Sequence, residues 1–378
     1  MSVEETLAGL VAIESISSRS NAEIIKHLVA RTESLGLSVR HLPYTDERGV
    51  EKMNMIAIAA GDSKDSENME VELAIVGHTD TVPFDLGWTD ALRLTELDGK
   101  LYGRGACDTK GFIASALTAV EEFDLRRLAR PLALVFTADE EIGCLGAKRL
   151  ADARALHARY SIVGEPTSLQ PMRAGKGYCI AEIFLRGREG HSAYPALGAS
   201  AIFRAARLIA RIERIAEELE RDERAEFDPP YTTLNVGLIN GGTAKNIIAG
   251  ECRFTLEWRP VPGQEPEHLL RLIEAAIEDE RSRDEDFDCQ LNVIRLDGGM
   301  ETRADSRLVR HLEETTGQKA GTIAFGTEAP QMIELGAEAV VLGPGNIRVA
   351  HRTDEFVPVT ELNECVRILR SAIEQFCM

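Results

Sequence analysis

The stretch Leu73–Pro83, with the sequence LAIVGHTDTVP, decides the fold of this chain. It opens with four consecutive apolar residues, Leu73–Val76, a run typical of a strand buried on both faces of a sheet. The run ends at Gly77. His78 and Asp80 follow two residues apart, so their side chains leave an extended backbone on the same side, where the Asp can orient a ligand-binding imidazole. Open α/β sheets bind ligands at the carboxyl ends of their strands, so the pair indicates a site; a hydrogen-bonded loop histidine is the alternative.

Acidic residues follow two further apolar runs in the same way. The predicted strand Leu132–Thr137 is followed by Asp139–Glu141, and the predicted strand Tyr160–Val163 by Glu165. A glycine-rich stretch, Gly103–Gly111 (GRGACDTKG), breaks the chain before a predicted helix. Because the carboxyl ends of parallel strands share one edge of a sheet, these acidic groups are expected to gather there.

The hydrophobic pattern changes after about Met172. Residues 179–186 and 252–259 alternate apolar with polar side chains, which is typical of an antiparallel sheet with one covered face. Two amphipathic helices accompany them, predicted over Ala199–Leu219 and Glu267–Glu280. The pattern of buried strands and helices returns after about Asp288.

We therefore predict two domains and an α/β fold class. Residues 1–172 and 288–378 form a catalytic domain with a mixed, largely parallel sheet between helices, and residues 173–287 form an inserted α+β domain with an antiparallel sheet. The polar segment Gly61–Asn68 is expected to be an exposed loop.

Composition excludes several classes of function. The chain has 378 residues, 43 Lys+Arg and 62 Asp+Glu, and its net charge of −19 disfavours nucleic acid and anionic membranes as partners. No apolar run approaches the ~20 residues that span a bilayer, and no export signal is visible. The seven cysteines form no C-x-x-C pair, which favours reduced thiols in the cytoplasm.

Seven polar residues lie just past apolar strands or glycine-rich turns. Carboxylates at this density raise one another's pKa unless cations lie among them. A pair of Zn²⁺-type ions requires two histidines and three carboxylates: each ion takes one histidine and one carboxylate, and the third carboxylate bridges the ions, ~3.5–4 Å apart. A further carboxylate is then left free to act as a general base. Singly, each has another interpretation: a helix cap, a solvated helix start or a surface histidine. The seven residues are His78, Asp80, Asp108, Glu140, Glu141, Glu165 and His351.

Six ordered strings together resemble the M20 metallopeptidase family of dinuclear zinc amidohydrolases and exopeptidases. The strings are GHTDTVP, GRGACDTKG, TADEE, VGEPT, GHSAYP and AHRTDE, and the resemblance covers essentially the whole chain. It implies a zinc-exopeptidase-like catalytic domain, a lid domain that also dimerises, and two Zn²⁺ ions, with Co²⁺ as a substitute.

The resemblance also assigns roles to the seven residues. His78 and Glu165 would hold one metal ion, Glu141 and His351 the other, and Asp108 would bridge them. Asp80 would orient His78. Glu140 would be the general base.

The inserted domain carries further residues that match the family. His191, in GHSAYP, matches a histidine that stabilises the oxyanion across a homodimer, and Asn246 and Arg259 match positions that bind a substrate carboxylate. A sheet-end histidine and an exposed structural arginine are the alternatives for His191 and Arg259. In FGTEAP, Thr327 and Glu328 are substrate-binding candidates; Glu328 either faces a cationic δ-amino group or forms a structural salt bridge.

The strings FGTEAP, LGPGN and AHRTDE are most similar to family members that release acetate from N-acetyl-L-ornithine in arginine biosynthesis. The expected substrate is therefore a small N-acyl-L-amino acid. Desuccinylation of succinyl-diaminopimelate and a dipeptidase or carboxypeptidase activity are the alternatives, and an inactive metal-binding scaffold is a third. The homodimer is expected to form through the inserted domain.

Overall fold

The apolar run Leu73–Val76 forms the centre of the strand Glu70–His78 in the computed structural model, which describes residues 1–60 and 70–378. All four residues of the run are fully buried, as predicted for a strand covered on both faces. The predicted loop Gly61–Asn68 lies outside the described residues.

Contacts divide the chain into two units, each with its own hydrophobic core. Unit 1 comprises Met1–Arg173, Thr302–Gly321 and Thr327–Met378. Unit 2 comprises Ala174–Glu301 and Thr322–Gly326.

Unit 1 is built on a mixed sheet between helices. Its strands are β1 (Ser38–Thr45), β2 (Glu51–Ala59), β3 (Glu70–His78), β4 (Thr95–Leu97), β5 (Lys100–Tyr102), β6 (Leu132–Thr137), β7 (His157–Val163), β17 (Glu338–Val341) and β18 (Phe356–Pro358), while β8 (Met172–Gly175) and β16 (Gly321–Ile323) cross the division between units. Its helices are α1 (Val3–Val11), α2 (Ala22–Ser34), α3 (Lys110–Glu121), α4 (Leu145–Asp152), α7 (Arg307–Thr316), α8 (Ala329–Glu334) and α9 (Val359–Cys377).

The sheet of unit 1 runs in the order β1, β2, β6, β3, β7, β17. Strand β3 is parallel to β6 and β7, and β17 is parallel to β7, whereas β2 is antiparallel to both β1 and β6. One large core joins the sheet to α1, α2, α3, α7 and α9. Helices α4 and α8 pack against each other and against β2, β7 and β17, outside that core. The prediction of a mixed sheet between helices is confirmed.

Unit 2 is an antiparallel sheet packed against two helices. Its elements are β9 (Tyr178–Arg186), β10 (Gly190–His191), α5 (Ala201–Leu219), β11 (Thr233–Gly241), β12 (Ile247–Ile248), β13 (Glu251–Arg259), α6 (Glu267–Arg283), β14 (Asp288–Asp297) and β15 (Met300–Glu301). The main sheet has the order β11, β13, β9, β14, with every pair antiparallel. Buried side chains of α5 and α6 share a core with alternate residues of β9 and β13, which explains the period of two in the sequence. The predicted α+β architecture is confirmed.

The division between the units differs from the predicted domain limit at residue 288. Strand β14 begins at Asp288 and pairs with β9 along its length, so it completes the sheet of unit 2. The chain returns to unit 1 at Thr302, and Thr322–Gly326 also belongs to unit 2. The sequence pattern missed this because β14 has few buried side chains and therefore shows only a weak alternation.

Two expectations from composition concern membranes and thiols. Within the described part of the chain, no helix is both long enough and apolar enough to span a bilayer. All seven cysteines are buried free thiols.

Candidate metal centre

The carboxyl ends of three neighbouring parallel strands bring the predicted ligands of unit 1 together. His78 is the last residue of β3 and lies opposite Thr137, the last residue of β6, so the segment Glu140–Glu141 that follows β6 comes beside it. On the other side of β3, Val76 pairs with Val163 at the end of β7, two residues before Glu165. The sheet register therefore places an imidazole between two groups of carboxylates.

Two groups of potential ligand atoms converge around His78. In His78, Glu140 and Glu165, the ligand atoms all lie within 4.8 Å of one another, and the same holds for His78, Asp108 and Glu141. His78 Nε2 is 3.1 Å from Asp108 Oδ1. Two carboxylate sets that share one imidazole fit a centre with two cation positions.

His351 joins the second group from the other end of the chain. Its Nε2 atom lies 3.2 Å from Asp108 Oδ2 and 3.0 Å from Glu141 Oε2. Asp108 therefore directs one carboxylate oxygen at His78 and the other at His351, which is the arrangement expected of a bridging carboxylate. The His351 side chain is about half exposed, at 52%, whereas Asp108 is buried.

Asp80 contacts its neighbours in a different way from the prediction. His78 Nδ1 lies 3.0 Å from the backbone carbonyl oxygen of Asp80 and 3.7 Å from its carboxylate. The carboxylate accepts hydrogen bonds from the backbone N–H groups of Glu140, at 3.1 Å, and Glu141, at 3.3 Å. Asp80 thus contacts the imidazole through its main chain and the acidic segment through its side chain.

The electrostatics of the cluster indicate a requirement for positive charge. Burial raises the pKa of Glu140 to about 8, and burial together with Glu140 and Asp108 raises the pKa of Glu165 well above its usual range. Burial alone would lower the pKa of His78, but the hydrogen bond with Asp108 and the surrounding carboxylates raise it. Hydrogen bonds with Asp108 and Glu141 raise the pKa of His351 to about 10. A dication bound among these groups would favour ionised carboxylates and neutral imidazoles.

One atom of Glu141 tests whether the donor set fits such a cation. Oε2 of Glu141 contacts His351, but Oε1 is buried and has no hydrogen-bond partner. A buried carboxylate oxygen without a partner is costly, and a cation would satisfy it. Imidazole nitrogens and carboxylate oxygens are the donors that Zn²⁺ and similar ions take in hydrolytic sites. The residues present therefore fit zinc-type cations.

Glu355 is a residue of this centre that the sequence reasoning missed. Its Oε1 atom accepts hydrogen bonds from the N–H groups of Cys107, at 2.9 Å, and Asp108, at 3.0 Å. Its Oε2 atom accepts from Gly105 N–H at 3.0 Å and from Arg104 Nη1 at 2.6 Å. Glu355 thus fixes the backbone of the loop that carries Asp108. Its place in AHRTDE was visible in the sequence, but its partners, about 250 positions away, were not.

Thr327 and Glu328 both lie in unit 1, just before α8. The Thr327 hydroxyl accepts a hydrogen bond from Ala329 N–H at 3.4 Å. The Glu328 side chain is 1% exposed, its Oε1 atom has no hydrogen-bond partner, and burial raises its pKa to about 7. His78 and Asp80 are among the groups that influence this pKa, so Glu328 lies near the predicted ligands.

In unit 2, the structure brings His191 and Asn246 together. His191 lies in β10 and pairs with Ile247 of β12, the residue after Asn246. The backbone carbonyl of Asn246 accepts a hydrogen bond from Ser192 N–H at 3.1 Å. Both side chains are exposed, and the His191 Nδ1 atom accepts from Ala193 N–H at 3.1 Å.

Arg259 lies apart from that pair within unit 2. It ends β13, whereas Asn246 precedes β12 and the start of β13 at Glu251. A nine-residue strand spans roughly 26 Å, so the two side chains lie toward opposite ends of it. The Arg259 guanidinium stacks 4.6 Å from the centre of the Tyr178 ring and donates to Glu257 Oε1 and Ala324 O, both at 2.6 Å.

The mixed sheet and the imidazole and carboxylate donors at the carboxyl ends of its strands are typical of a metal-dependent hydrolase. The family model for Peptidase family M20/M25/M40 matches residues 74–375, and the chain belongs to that family.

Relatives in sequence agree with this assignment, and a solved structure shares the fold. The chain is 54% identical over 374 residues to an acetylornithine deacetylase from Myxococcus xanthus, covering 98% of this chain and 97% of the relative. It is 36% identical over 381 residues to an acetylornithine deacetylase from Proteus mirabilis, covering 98% and 95%. The fold matches a tripeptidase from Staphylococcus aureus with a TM-score of 0.78 at 22% identity, over 99% of this chain and 97% of that one.

Proposed function

We propose that this hydrolase removes the acetyl group from N-acetyl-L-ornithine, releasing L-ornithine and acetate. The similarity over nearly the full length to acetylornithine deacetylases supports this substrate. The observation that supports hydrolysis is that two groups of potential ligands meet around His78. Together they contain one carboxylate more than two cations need. That carboxylate is assigned to Glu140.

Two Zn²⁺ ions are the proposed cofactors, with Co²⁺ as a substitute. His78 and Glu165 would hold one ion, Glu141 and His351 the other, and Asp108 would bridge. The unpartnered Oε1 atom of Glu141 and the two imidazole contacts of Asp108 support this division. When bound, the ions would polarise the acyl carbonyl and lower the pKa of a water molecule.

Side chains of the protein would carry the proton transfers. Glu140 would take a proton from the attacking water and pass it to the leaving α-amine. Glu140 shares a donor group with His78 and Glu165, which places its carboxylate where it could reach a water molecule held there. Its Oε1 atom accepts a hydrogen bond from the Cys144 thiol at 3.3 Å, which restrains the carboxylate.

Further side chains would bind the substrate itself. Arg259 and Asn246 are assigned to the α-carboxylate, and His191 to the oxyanion of the tetrahedral intermediate. Thr327 remains a candidate for the pocket wall. For Glu328 two roles are open, contact with the δ-ammonium group or support of the metal ligands, and its complete burial favours the second.

We infer that the active form is a homodimer built through unit 2. Arg259 and His191 lie toward opposite ends of β13, whereas the substrate groups they are assigned to are separated by only a few bonds. Two copies of the chain could supply these residues to one substrate. Exposed apolar side chains on the edge strands β11 and β14 and on α5 support an interface on unit 2; they are Leu238, Ile239, Val293, Ile294, Ile202 and Phe203.

Mixing two inactive variants tests the homodimer. In a mixed dimer, one copy carries His191→Ala and the other carries Glu140→Gln, so one of the two sites has both Glu140 and His191. Random exchange makes about half of the dimers mixed, which should restore about a quarter of wild-type activity. Each variant alone should lack that activity, and His191→Ala should have kcat lowered ~10²–10³-fold. Failure of the mixture to recover activity, with subunit exchange verified, would show that His191 acts within its own chain.

A second substrate class has one observation in its favour. Arg295 stacks on the same Tyr178 ring as Arg259, at 4.7 Å, and its Nε atom donates to Asp297 at 2.5 Å. A second guanidinium near Arg259 is what a succinyl carboxylate would require. Succinyl-diaminopimelate is therefore the alternative substrate.

A panel of substrates separates these proposals. Zinc-loaded protein is assayed with acetylornithine, acetylcitrulline, acetylmethionine, succinyl-diaminopimelate and a dipeptide. The highest kcat/KM is expected for acetylornithine. A preference for the succinyl substrate or the dipeptide would replace the proposed function, and no hydrolysis of any compound would favour a metal-binding scaffold. A cytoplasmic location is also proposed, supported by the seven free thiols.

A further inference from the structure

A segment near the N-terminus, Ser15–Asn21, contacts strand β2 and the residues that follow strand β3. It runs beside Thr81: Thr81 N–H donates to Ser15 O at 3.0 Å, and Ser17 N–H donates to Thr81 O at 3.1 Å. At its end, the Asn21 side chain accepts from Met53 N–H at 3.0 Å and donates to Met53 O at 2.8 Å. The segment is therefore held to β2 and to the chain after β3 by backbone-directed hydrogen bonds.

Ser17 connects this segment to Asp80. Its hydroxyl donates to Asp80 Oδ2 at 2.8 Å, and its carbonyl oxygen accepts from Lys52 Nζ at 2.7 Å and Arg48 Nη2 at 3.0 Å. Ser17 is 4% exposed and Asp80 1% exposed. A hydrogen bond from a hydroxyl to a carboxylate in such a dry environment orients the carboxylate strongly.

Lys52 closes the other side of the network. Its ammonium group uses all three donors, on Ser17 O and Arg19 O at 2.7 Å each and on Asp139 Oδ1 at 2.6 Å. The Lys52 and Asp139 side chains are 1% and 0% exposed. The second oxygen of Asp139 accepts from the Tyr44 hydroxyl at 2.8 Å, so both oxygens of this carboxylate are bonded.

The network returns to the acidic segment through the main chain. Asp139 has a positive φ of 59°, a conformation rarely adopted by a residue with a side chain, and it immediately precedes Glu140. Asp80, fixed by Ser17, accepts from Glu140 N–H and Glu141 N–H. Asp139, which begins this turn, therefore contacts Lys52 directly, and Asp80, which binds the N–H groups of the turn, is connected to Lys52 through Ser17.

We propose that Ser17 and Lys52 are positioning residues for the hydrolytic site. They fix Asp139 and Asp80 in a closed ring of buried hydrogen bonds, so that Glu140 and Glu141 leave the turn after β6 in their working directions. Neither residue touches the predicted ligand atoms. Groups that orient ligands in this way typically contribute 10–100-fold to metal affinity or turnover when removed. The inference rests on the proposed function for its activity measurement alone.

Ser17→Ala tests the proposal, because it removes only the hydroxyl, which contacts Asp80 Oδ2 and Thr81 O, and leaves the three hydrogen bonds of the Ser17 backbone in place. Ser115→Ala is the matched control, since that hydroxyl is also fully buried and donates to a backbone oxygen, Gly111 O, at 2.9 Å. We expect Ser17→Ala to lower kcat and zinc affinity by ~10–100-fold with KM little changed, while Ser115→Ala retains both. Ser17→Thr, which keeps the hydroxyl, should retain most of the activity.

A second variant keeps the test independent of folding. Lys52→Met alone leaves Asp139 buried and unpaired, so Lys52→Met/Asp139→Asn is used, which removes both charges. Zinc affinity, measured by competition with a chelator, should fall by a similar factor of ~10–100. Wild-type zinc affinity and kcat in Ser17→Ala and in the double variant would overturn the proposal, as would an equal loss in Ser115→Ala. Absence of N-acetylornithine hydrolysis by the wild-type chain refutes the proposed function instead, and the zinc measurement still decides the role of Ser17.

Discussion

The substitution Glu355→Gln probes the loop that carries Asp108, because it keeps the shape of a completely buried side chain and removes its charge. The carboxylate accepts four hydrogen bonds, two on each oxygen, from three backbone N–H groups and from Arg104. An amide has a single acceptor oxygen. Whichever way it is oriented, two of the four donors would face an NH₂ group.

The size of the effect follows from those contacts. The Arg104 and Glu355 side chains are 3% and 1% exposed, and breaking a buried ion pair by removing one partner typically costs about 3–5 kcal/mol. The lost bonds to backbone donors overlap with this cost, so we keep about 3–5 kcal/mol as the total. At ~2–4 °C per kcal/mol for a unit of this size, the melting temperature should fall by roughly 6–20 °C. Because Asp108 N–H is among the donors, zinc affinity should also fall, by ~10–100-fold.

Differential scanning calorimetry and chelator competition measure the two effects. Asp305→Asn is the control: it makes the same chemical change in an exposed ion pair with Arg303, at 2.8 Å, and should leave the melting temperature nearly unchanged. If Glu355→Gln melts with the wild type and binds zinc equally well, the claim that Glu355 fixes the Asp108 loop is wrong.

Three further predictions concern the site itself. Glu140→Gln should keep its bound zinc and lose kcat by ~10²–10⁴-fold, the range for a general base, whereas Glu141→Gln should lose zinc; metal analysis with the reverse result would exchange the two roles. Removing zinc with a chelator should abolish activity, and adding Zn²⁺ or Co²⁺ should restore it. Zinc affinity should weaken as pH falls, because protons compete for the imidazoles, and a pH-independent affinity would contradict histidine ligation. Gly164→Ala should destabilise unit 1 by ~1–3 kcal/mol, since an added Cβ would lie 2.0 Å from Phe112 Cδ1. Gly9→Ala should not, because there the added Cβ would meet no atom closer than 3.5 Å. Equal melting temperatures for the two variants would refute this packing argument.

The sequence predicted the architecture of unit 1 well because its strands are apolar on both faces. A run such as Leu73–Val76 has no polar face to present to solvent, so it must lie inside a sheet. His78, Glu140 and Glu165 follow such strands, and a parallel register brings strand ends together without further information. The convergence of these three residues could therefore be predicted from local patterns.

Other features could not be predicted from the sequence. The boundary near Asp288 was placed too early because β14 pairs with β9 through its backbone while most of its side chains stay partly exposed. Asp80 was expected to orient His78, and its carboxylate lies 3.7 Å from His78 Nδ1, but that carboxylate also accepts hydrogen bonds from the main chain of Glu140 and Glu141. Neither the pairing of an edge strand nor the target of a buried carboxylate leaves a periodic mark on the residues involved.

The sequence by itself thus determined which segments are buried strands and helices, in what order they occur, and which side chains stand at strand ends. Only the tertiary structure decided which distant residues hold those side chains in place. Ser17 and Asp80 are 63 positions apart, Lys52 and Asp139 are 87 apart, and Arg104 and Glu355 are 251 apart. Each of these pairs forms because burial leaves a charged group no water to bond, and the fold brings hydrogen-bond partners within its reach. Hydrophobic periodicity records burial along the chain, but it carries no record of those partners.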